Sequence, residues 1–468
     1  MTAAADPAAT VEEVVRRARI AQAAFAEATQ AGADEAVTAL AWAIYEPGRA
    51  RELAELAVED TGIGSVADKV VKNQRKTFGA LRDLLRARSV GVIEEDPARG
   101  IVRYAKPVGV VAAVTPSTNP AATPVSKAMF AVKGRNAIVI APSPSGHATT
   151  TRTAEHMRAG LARVGAPEDL GQVLPPPASK AMTAELMRRV DLVVVTGSQA
   201  NVRQAYSSGT PAIGVGAGNV PVIVDETADL ADAARKICAS KTFDNATSCS
   251  SENALVVLDA CYPAAIAALE EAGGYLATAE EKGRIVATLW RDGKLNRAVI
   301  ARDAAVQARA FGLGPGAAGR RFFMVEEEGI GPEHPLSGEK LSLVLAVYRA
   351  RDFDHAVGIT RRILEFQGKG HSCGIHTRDT GRARRLAAEL PVVRVLVNQA
   401  HTFGNGGGFD NGLNFTLSMG CGTWGGNSIS ENLSYRHFLN ITHLVTTIPE
   451  DRPAEEELFG PFWAKYGR

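Results

Sequence analysis

The chain has little that would tie it to a membrane, a nucleic acid or an oxidising compartment. Its 468 residues include five cysteines (Cys238, Cys249, Cys261, Cys373 and Cys421), an odd number with no CxxC pair. That spacing supports neither a disulfide framework nor a zinc site, and free thiols are the expectation. Neither sign of charge is in excess, with 52 Lys and Arg against 51 Asp and Glu. There is thus no basic field to hold nucleic acid or an anionic membrane. No run approaches the roughly 20 apolar residues that a membrane span needs. The N-terminus reads as a short polar arm and an amphipathic helix from about Val11, acids first and arginines later, unlike a signal or transit peptide. Internal repeats and low-complexity tracts are missing too. The expectation is a soluble cytoplasmic globular protein of two or three domains, without a metal.

What is present is an α/β pattern. Hydrophobic residues make up 46% of the chain, enough for large cores. Residues 11–90 have apolar positions three and four apart, which predicts helices. "GVIEED", "PARG" and "IVRYAKPV", near residues 90–106, predict a hairpin. Then apolar strands alternate with helices: "VGVVAAVTP", "NAIVIAPSPSG", "QVLPPP", "DLVVVTGS" and "VPVIVDETADL". Continuous apolar strands in this rhythm predict a parallel sheet covered on both faces. This places a first unit at 1–225, a second at 226–425 and a tail at 426–468, whose apolar stretch "HFLNITHLVTTIP" needs a surface to cover it.

Four motifs carry candidate chemistry. Thr196, Gly197 and Ser198 stand where a buried strand turns into a helix, a place suited to phosphate, although the full GxGxxG fingerprint is absent and an ordinary turn competes. Gly214, Gly216 and Gly218 alternate, either for tight strand packing or to leave a surface bare for a ligand. Asn119, just past a strand's C-terminal end, is an oxyanion donor or a turn amide. Cys249, in "KTFDNATSCSSEN", is a cysteine dressed in polar groups, as a reactive thiolate requires. Cys373 and Cys421 also have polar, Gly-rich surroundings, so polarity alone does not choose among the three.

Taken in order and spacing, "VTPSTNP", "RNAIVIAPSP", "TGSQANVRQAYSSGTPAIGVGAGNVPVIVDETADL", "KTFDNATSCSSEN", "EKLSLVLAVY" and "GCGTWGGNSISEN" resemble the aldehyde dehydrogenase superfamily, and within it the coenzyme A-acylating branch. The similarity spans about residues 10–445. It implies a Rossmann-type dinucleotide domain over 1–225, an α/β catalytic domain over 226–425, and a hairpin and tail in subunit contact, as a homodimer or homotetramer. It implies that Cys249 is the nucleophile and Asn119 the oxyanion donor. Because Asn119 is displaced by one residue from the hydrolytic pattern, Thr118 is the other candidate for that role. The resemblance also assigns Thr115, Ser117, Ser143, Thr196, Gly197, Ser198, Gly216 and Glu339 to a dinucleotide, with Glu339 on the nicotinamide ribose.

The departures are informative. Hydrolytic members carry a water-activating glutamate where this chain has Gly214. Without it an external thiol becomes the natural acceptor, since a thiol ionises far more readily than water. Coenzyme A is therefore the expected co-substrate and acyl-CoA the product, the alternative being a coenzyme A-independent enzyme that gives the free acid. Ala141 and Pro144 replace the Lys and Glu that touch the adenosine ribose, which permits NADP as well as NAD. The loop "AHTFGNGGGFDNGLNF" offers His401, Asn405 and Asn411 as contacts for a polar or sulfonated aldehyde, or else simply shapes a turn. Cys373→Ala and Cys421→Ala are expected to retain activity. The first helix is read as the domain's own, not as a microcompartment-targeting extension.

Overall fold

The computed structural model describes residues 6–468, so most of the N-terminal arm lies outside the described residues. The first helix, Pro7–Phe25, starts earlier than Val11. Asp6 caps it by accepting from the Ala8 N–H (3.0 Å), and proline in the first turn gives up no helical hydrogen bond. Three more helices follow, Gln30–Tyr45, Pro47–Thr61 and Val66–Leu85.

The first sheet has five parallel strands in the order Gly171–Val173, Ala137–Ala141, Val110–Val114, Leu192–Thr196, Ala212–Val215. The chain builds outward to one side of Val110–Val114 and then to the other. The order therefore reverses between Val110–Val114 and Leu192–Thr196, and the crevice at such a switch point is where open α/β sheets bind ligands.

The second sheet has seven parallel strands: Gly274–Leu276, Phe322–Glu326, Val344–Ala350, Glu252–Leu258, Val220–Val224, Gly370–His376 and Val392–Val397. Here the expected boundary at residue 225 is corrected. Val220–Val224 lies between Glu252–Leu258 and Gly370–His376, inside the second sheet. All five of its residues are buried, and a strand buried on both faces carries no mark of which sheet it will join. The later boundary shifts as well. Phe415, expected in the second unit, packs in the first core with Leu433 and Phe438. Its ring occupies the place of a side chain at Gly79, where a Cβ would come within 2.3 Å of it.

The hairpin forms as expected from Gly91–Asp96 and Ile101–Pro107. Its third, antiparallel strand is Leu439–Val445 from the tail, so part of the apolar tail finds its cover within the chain. Beyond it a helix, Glu455–Tyr466, presents Leu458, Phe459, Phe462 and Tyr466 to solvent. Among the described residues no helix is long and apolar enough to cross a membrane.

Candidate active site

The segment before Cys249 takes an unfavourable path. Asp244, Asn245 and Ala246 all have left-handed backbones, with φ of 50°, 53° and 62°. For residues with a Cβ this costs about 1–2 kcal/mol each. The conformation is held through Asp244, whose side chain is completely buried. Its carboxylate accepts from Lys69 Nζ (3.1 Å), Lys72 Nζ, Thr247 Oγ1 (2.7 Å) and the Ser65 N–H (2.8 Å), while its own N–H donates to Asp68 Oδ2 (2.8 Å). Burial opposes charge on Asp244, but Lys72 and Lys69 outweigh it and hold the carboxyl below its ordinary value.

The same lysines set the oxyanion donor. Lys72 Nζ also donates to Asn119 Oδ1 (2.8 Å), and Lys69 Nζ to the Thr118 carbonyl (3.2 Å). An ammonium has no acceptor, so Lys72 fixes which end of the Asn119 amide is oxygen. The Asn119 nitrogen then turns the other way. One hydrogen points to Thr118 Oγ1 (3.4 Å), and the second has no acceptor among the described residues.

Cys249 is half-buried, whereas the other four cysteines are fully buried. Burial pushes its thiol up to about 12, Glu339 adds to the rise, and the Ser250 hydroxyl and Arg394 oppose it. Burial likewise lifts the Glu339 carboxyl to about 8, against Lys340 and Lys241. Gly218 lies against both Cys249 and His371: a Cβ there would sit 2.2 Å from the Cys249 carbonyl oxygen and 3.1 Å from His371 Nε2. His371 is buried. Burial, Arg394 and His401 hold it neutral. Its Nδ1 bonds Ser372 Oγ (2.8 Å), and its Nε2 has no partner among the described residues.

A cleft of about 380 Å³ opens at the C-terminal ends of the Val110–Val114, Ala137–Ala141 and Leu192–Thr196 strands. Thr115, Ser117, Ser143, Thr196, Gly197 and Ser198 all line it, with Lys180 and Gln204 also in the lining. Thr115 Oγ1 and Ser143 Oγ are buried there without partners, two hydroxyls free to bond a ligand. Ser198 caps the helix Gln199–Tyr206 by accepting from the Asn201 N–H (3.3 Å). These residues fit the phosphates and ribose of a dinucleotide. A larger cavity, about 760 Å³, lies between the hairpin and Arg86, Arg88 and Arg436; it contains none of these strand-end groups.

This pairing of a strand-end nucleotide cleft with a half-buried cysteine and an oriented amide has known counterparts. The model of the aldehyde dehydrogenase family matches residues 1–285. The chain belongs to the aldehyde dehydrogenase family. An acylating sulfoacetaldehyde dehydrogenase of Cupriavidus necator is 55% identical over 98% of this chain and 94% of its own length. A second, from Bilophila wadsworthia, is 45% identical over 98% of this chain and 100% of its own. The crystal structure of an acetylating aldehyde dehydrogenase from Geobacillus thermoglucosidasius matches with a TM-score of 0.91 and 36% identity, covering 96% of this chain and 98% of that one.

Several of the expected positions lie outside the lining of the cleft. Gly216 is not in the lining of the cleft, and a Cβ on it would meet Gln199 Nε2 at 2.1 Å. At Gly214 a Cβ would meet Val202 Cγ1 at 2.5 Å, so this glycine allows close packing between protein atoms. His401 is turned into the protein, with Nδ1 lacking a partner among the described residues. It is 1% exposed, its Nε2 bonds Ser372 Oγ (2.9 Å), and burial takes its pKa down to about 3, so it has no charge to offer an anion. Asn411 is a turn amide, its oxygen accepting from the Gly408 and Leu413 N–H groups (3.2 and 3.1 Å). The sequence reading missed Lys69, Lys72, Asp244 and His371. The available signal was "KVVK", two lysines three apart, which bring both ammonium groups to one side of a helix.

The charges around Cys249 give a pH-dependent prediction. A thiol with a pKa near 12 reacts through a thiolate fraction that grows about tenfold per pH unit throughout the neutral range. Glu339 raises that pKa only when it is ionised, which at a carboxyl pKa of about 8 means chiefly above pH 8. Glu339→Gln is therefore expected to speed iodoacetamide labelling of Cys249, followed by peptide mass spectrometry, by several-fold at pH 9 and less at pH 7. Slower labelling at pH 9 would show that the carboxylate does not oppose the thiolate.

Proposed function

We propose that this enzyme oxidises sulfoacetaldehyde to sulfoacetyl-CoA, using NAD or NADP and coenzyme A, through a thioester on Cys249. The observation that carries the chemistry is the free hydrogen on the Asn119 amide, which Lys72 orients beside the nucleophile's segment. The choice of a thiol as acceptor is supported by position 214, where a glycine whose N–H donates to Tyr206 Oη (3.0 Å) stands in place of the water-activating glutamate of hydrolytic members. The substrate follows from the acylating sulfoacetaldehyde dehydrogenases at 55% and 45% identity.

The thiol stays protonated until the aldehyde arrives. Sulfur then bonds the carbonyl carbon as its proton passes to His371 Nε2, the unpartnered acceptor. Asn119 Nδ2 and the Cys249 backbone N–H donate to the developing oxyanion, a type of contact whose removal typically costs about 10²–10³ in rate. A dinucleotide bound in the cleft supplies the acceptor for the hydride that leaves this carbon. The carbonyl re-forms as a Cys249 thioester, and His371 gives its proton to water. His371 Nε2 next takes the proton of the coenzyme A thiol, whose sulfur attacks the thioester. The tetrahedral intermediate collapses, Cys249 leaves and recovers that proton, and one proton is released overall.

The test is a panel of sulfoacetaldehyde, acetaldehyde, propanal and succinic semialdehyde, each with and without coenzyme A and with NAD and NADP in parallel. The expected result is coenzyme A-dependent turnover with the highest kcat/KM for sulfoacetaldehyde. Preference for acetaldehyde would refute the substrate and leave the acylating chemistry standing. Free thiols suit a cytoplasmic enzyme. Exposed Ile441, Leu444 and Val445 on the tail strand support assembly of subunits through the three-stranded sheet.

A further inference from the structure

We propose that Lys76 is the residue that receives the anionic end of the substrate, holding the sulfonate beside Cys249; the assignment rests on the sulfoacetaldehyde reading. Lys76 lies on the helix Val66–Leu85, four and seven residues beyond Lys72 and Lys69, and so shares their face. Those two lysines share the single carboxylate of Asp244. Lys76 forms no ion pair with any carboxylate among the described residues. Its one hydrogen bond runs to the Gly406 carbonyl (2.9 Å), and its ammonium stands 5.4 Å from the centre of the Phe415 ring. Two of its three hydrogens are left without an acceptor among the described residues.

A short run of contacts links Lys76 to the neighbour of the nucleophile. Gly406 follows Asn405, whose Nδ2 donates to the hydroxyl of Ser250, the neighbour of Cys249 (2.9 Å). That hydroxyl in turn contacts Met419 Sδ (3.7 Å), and the space at Gly406 is bounded by both Met419 Sδ and Lys76 Nζ. Lys76 and Cys249 are each partly accessible, although Asn405, Ser250 and Met419 between them are buried. Burial, Arg75 and Lys72 draw the Lys76 ammonium down to about 7, and negative charge on Cys249 is what pulls it back up. The lysine thus lies within electrostatic reach of the reacting atom and lacks a counter-ion.

Two other cations nearby, Arg394 and Arg75, also form no ion pair among the described residues, but most of their donors or faces are covered. The Arg394 guanidinium donates to Asn432 Oδ1 and to the His371 and Gly420 carbonyls. Arg75 lies against the rings of Phe403, Phe409 and Phe415. In sulfoacetaldehyde a single methylene separates the aldehyde carbon from the sulfonate, so the anion must be met close to Cys249. An alkyl aldehyde would leave the ammonium desolvated and unpaired, which selects against it.

The test compares wild type, Lys76→Gln and Lys76→Arg with sulfoacetaldehyde, propanal and succinic semialdehyde under coenzyme A-dependent conditions. Lys76→Gln is expected to lower the sulfoacetaldehyde-to-propanal ratio of kcat/KM by roughly ten- to hundredfold, mainly through KM, and Lys76→Arg to recover most of it. Equal losses for both substrates would mean that Lys76 acts on the thiol instead, and would overturn the proposal, as would an unchanged ratio. If wild type prefers succinic semialdehyde and Lys76→Gln loses that preference, Lys76 stands as the anion contact and the sulfonate reading falls. Ethanesulfonate provides a check independent of turnover. It is expected to protect Cys249 from iodoacetamide in wild type and not in Lys76→Gln, with nucleotide binding confirming that the variant is folded; equal protection in both contradicts the assignment.

Discussion

Cys249→Ala is expected to abolish both aldehyde oxidation and acyl-CoA formation, by roughly 10⁴-fold or more, because a covalent intermediate cannot form without its nucleophile. Dinucleotide binding is expected to survive, since the strand-end cleft shares no residue with the Cys249 segment. Steady-state assays in both directions, with fluorescence titration of the reduced dinucleotide, check both halves. Substantial turnover in the variant would mean that another group attacks the aldehyde. Neither remaining thiol in a polar setting is well placed to do so, because Cys373 lies within the buried strand Gly370–His376 and Cys421 is 2% exposed.

The second large effect is expected at a residue that never meets the substrate. Asp244→Ala leaves Lys69 and Lys72 buried without their shared carboxylate, and breaking a buried pair from one side costs about 3–5 kcal/mol. It also frees the left-handed Asp244–Ala246 turn that sets the path to Cys249. Urea unfolding is expected to show a lower midpoint, and the folded fraction a kcat loss larger than its change in dinucleotide affinity. A midpoint within error of wild type would mean that Asp244 does not anchor the turn. In pH terms, Asp244 has a folded pKa below its unfolded value. Its stabilising contribution is present above the unfolded pKa and is lost as pH falls through the folded one.

Much of the fold was legible because its strands are continuous apolar runs bounded by turn residues, as at Val110–Val114, Ala137–Ala141 and Leu192–Thr196. The same property hid the partner choice of Val220–Val224, whose five buried residues suit either sheet equally. Cys249 stood out because serines and threonines surround it. Its supports did not. Lys69 and Lys72 read as a solvated helix face, since the carboxylate that buries them lies 175 and 172 residues away in the chain. His371 looks like a core histidine, and only the path of Gly218 places its Nε2 near the Cys249 carbonyl. His401 shows the converse case. Its Gly- and Asn-rich neighbourhood suggested a ligand contact, but the fold turns its ring inward to Ser372.

The central claim is that the acyl group waits on Cys249 until a thiol removes it, and a single-turnover experiment without coenzyme A tests it most directly. Enzyme, sulfoacetaldehyde and oxidised dinucleotide are mixed rapidly, and reduced dinucleotide is followed by absorbance. The expected result is a burst of one equivalent per active site that then stops, with a sulfoacetyl group on Cys249 by mass spectrometry. Adding coenzyme A is expected to restart turnover and release sulfoacetyl-CoA. Continuous reduction without coenzyme A, with free sulfoacetate as the product, would contradict the account.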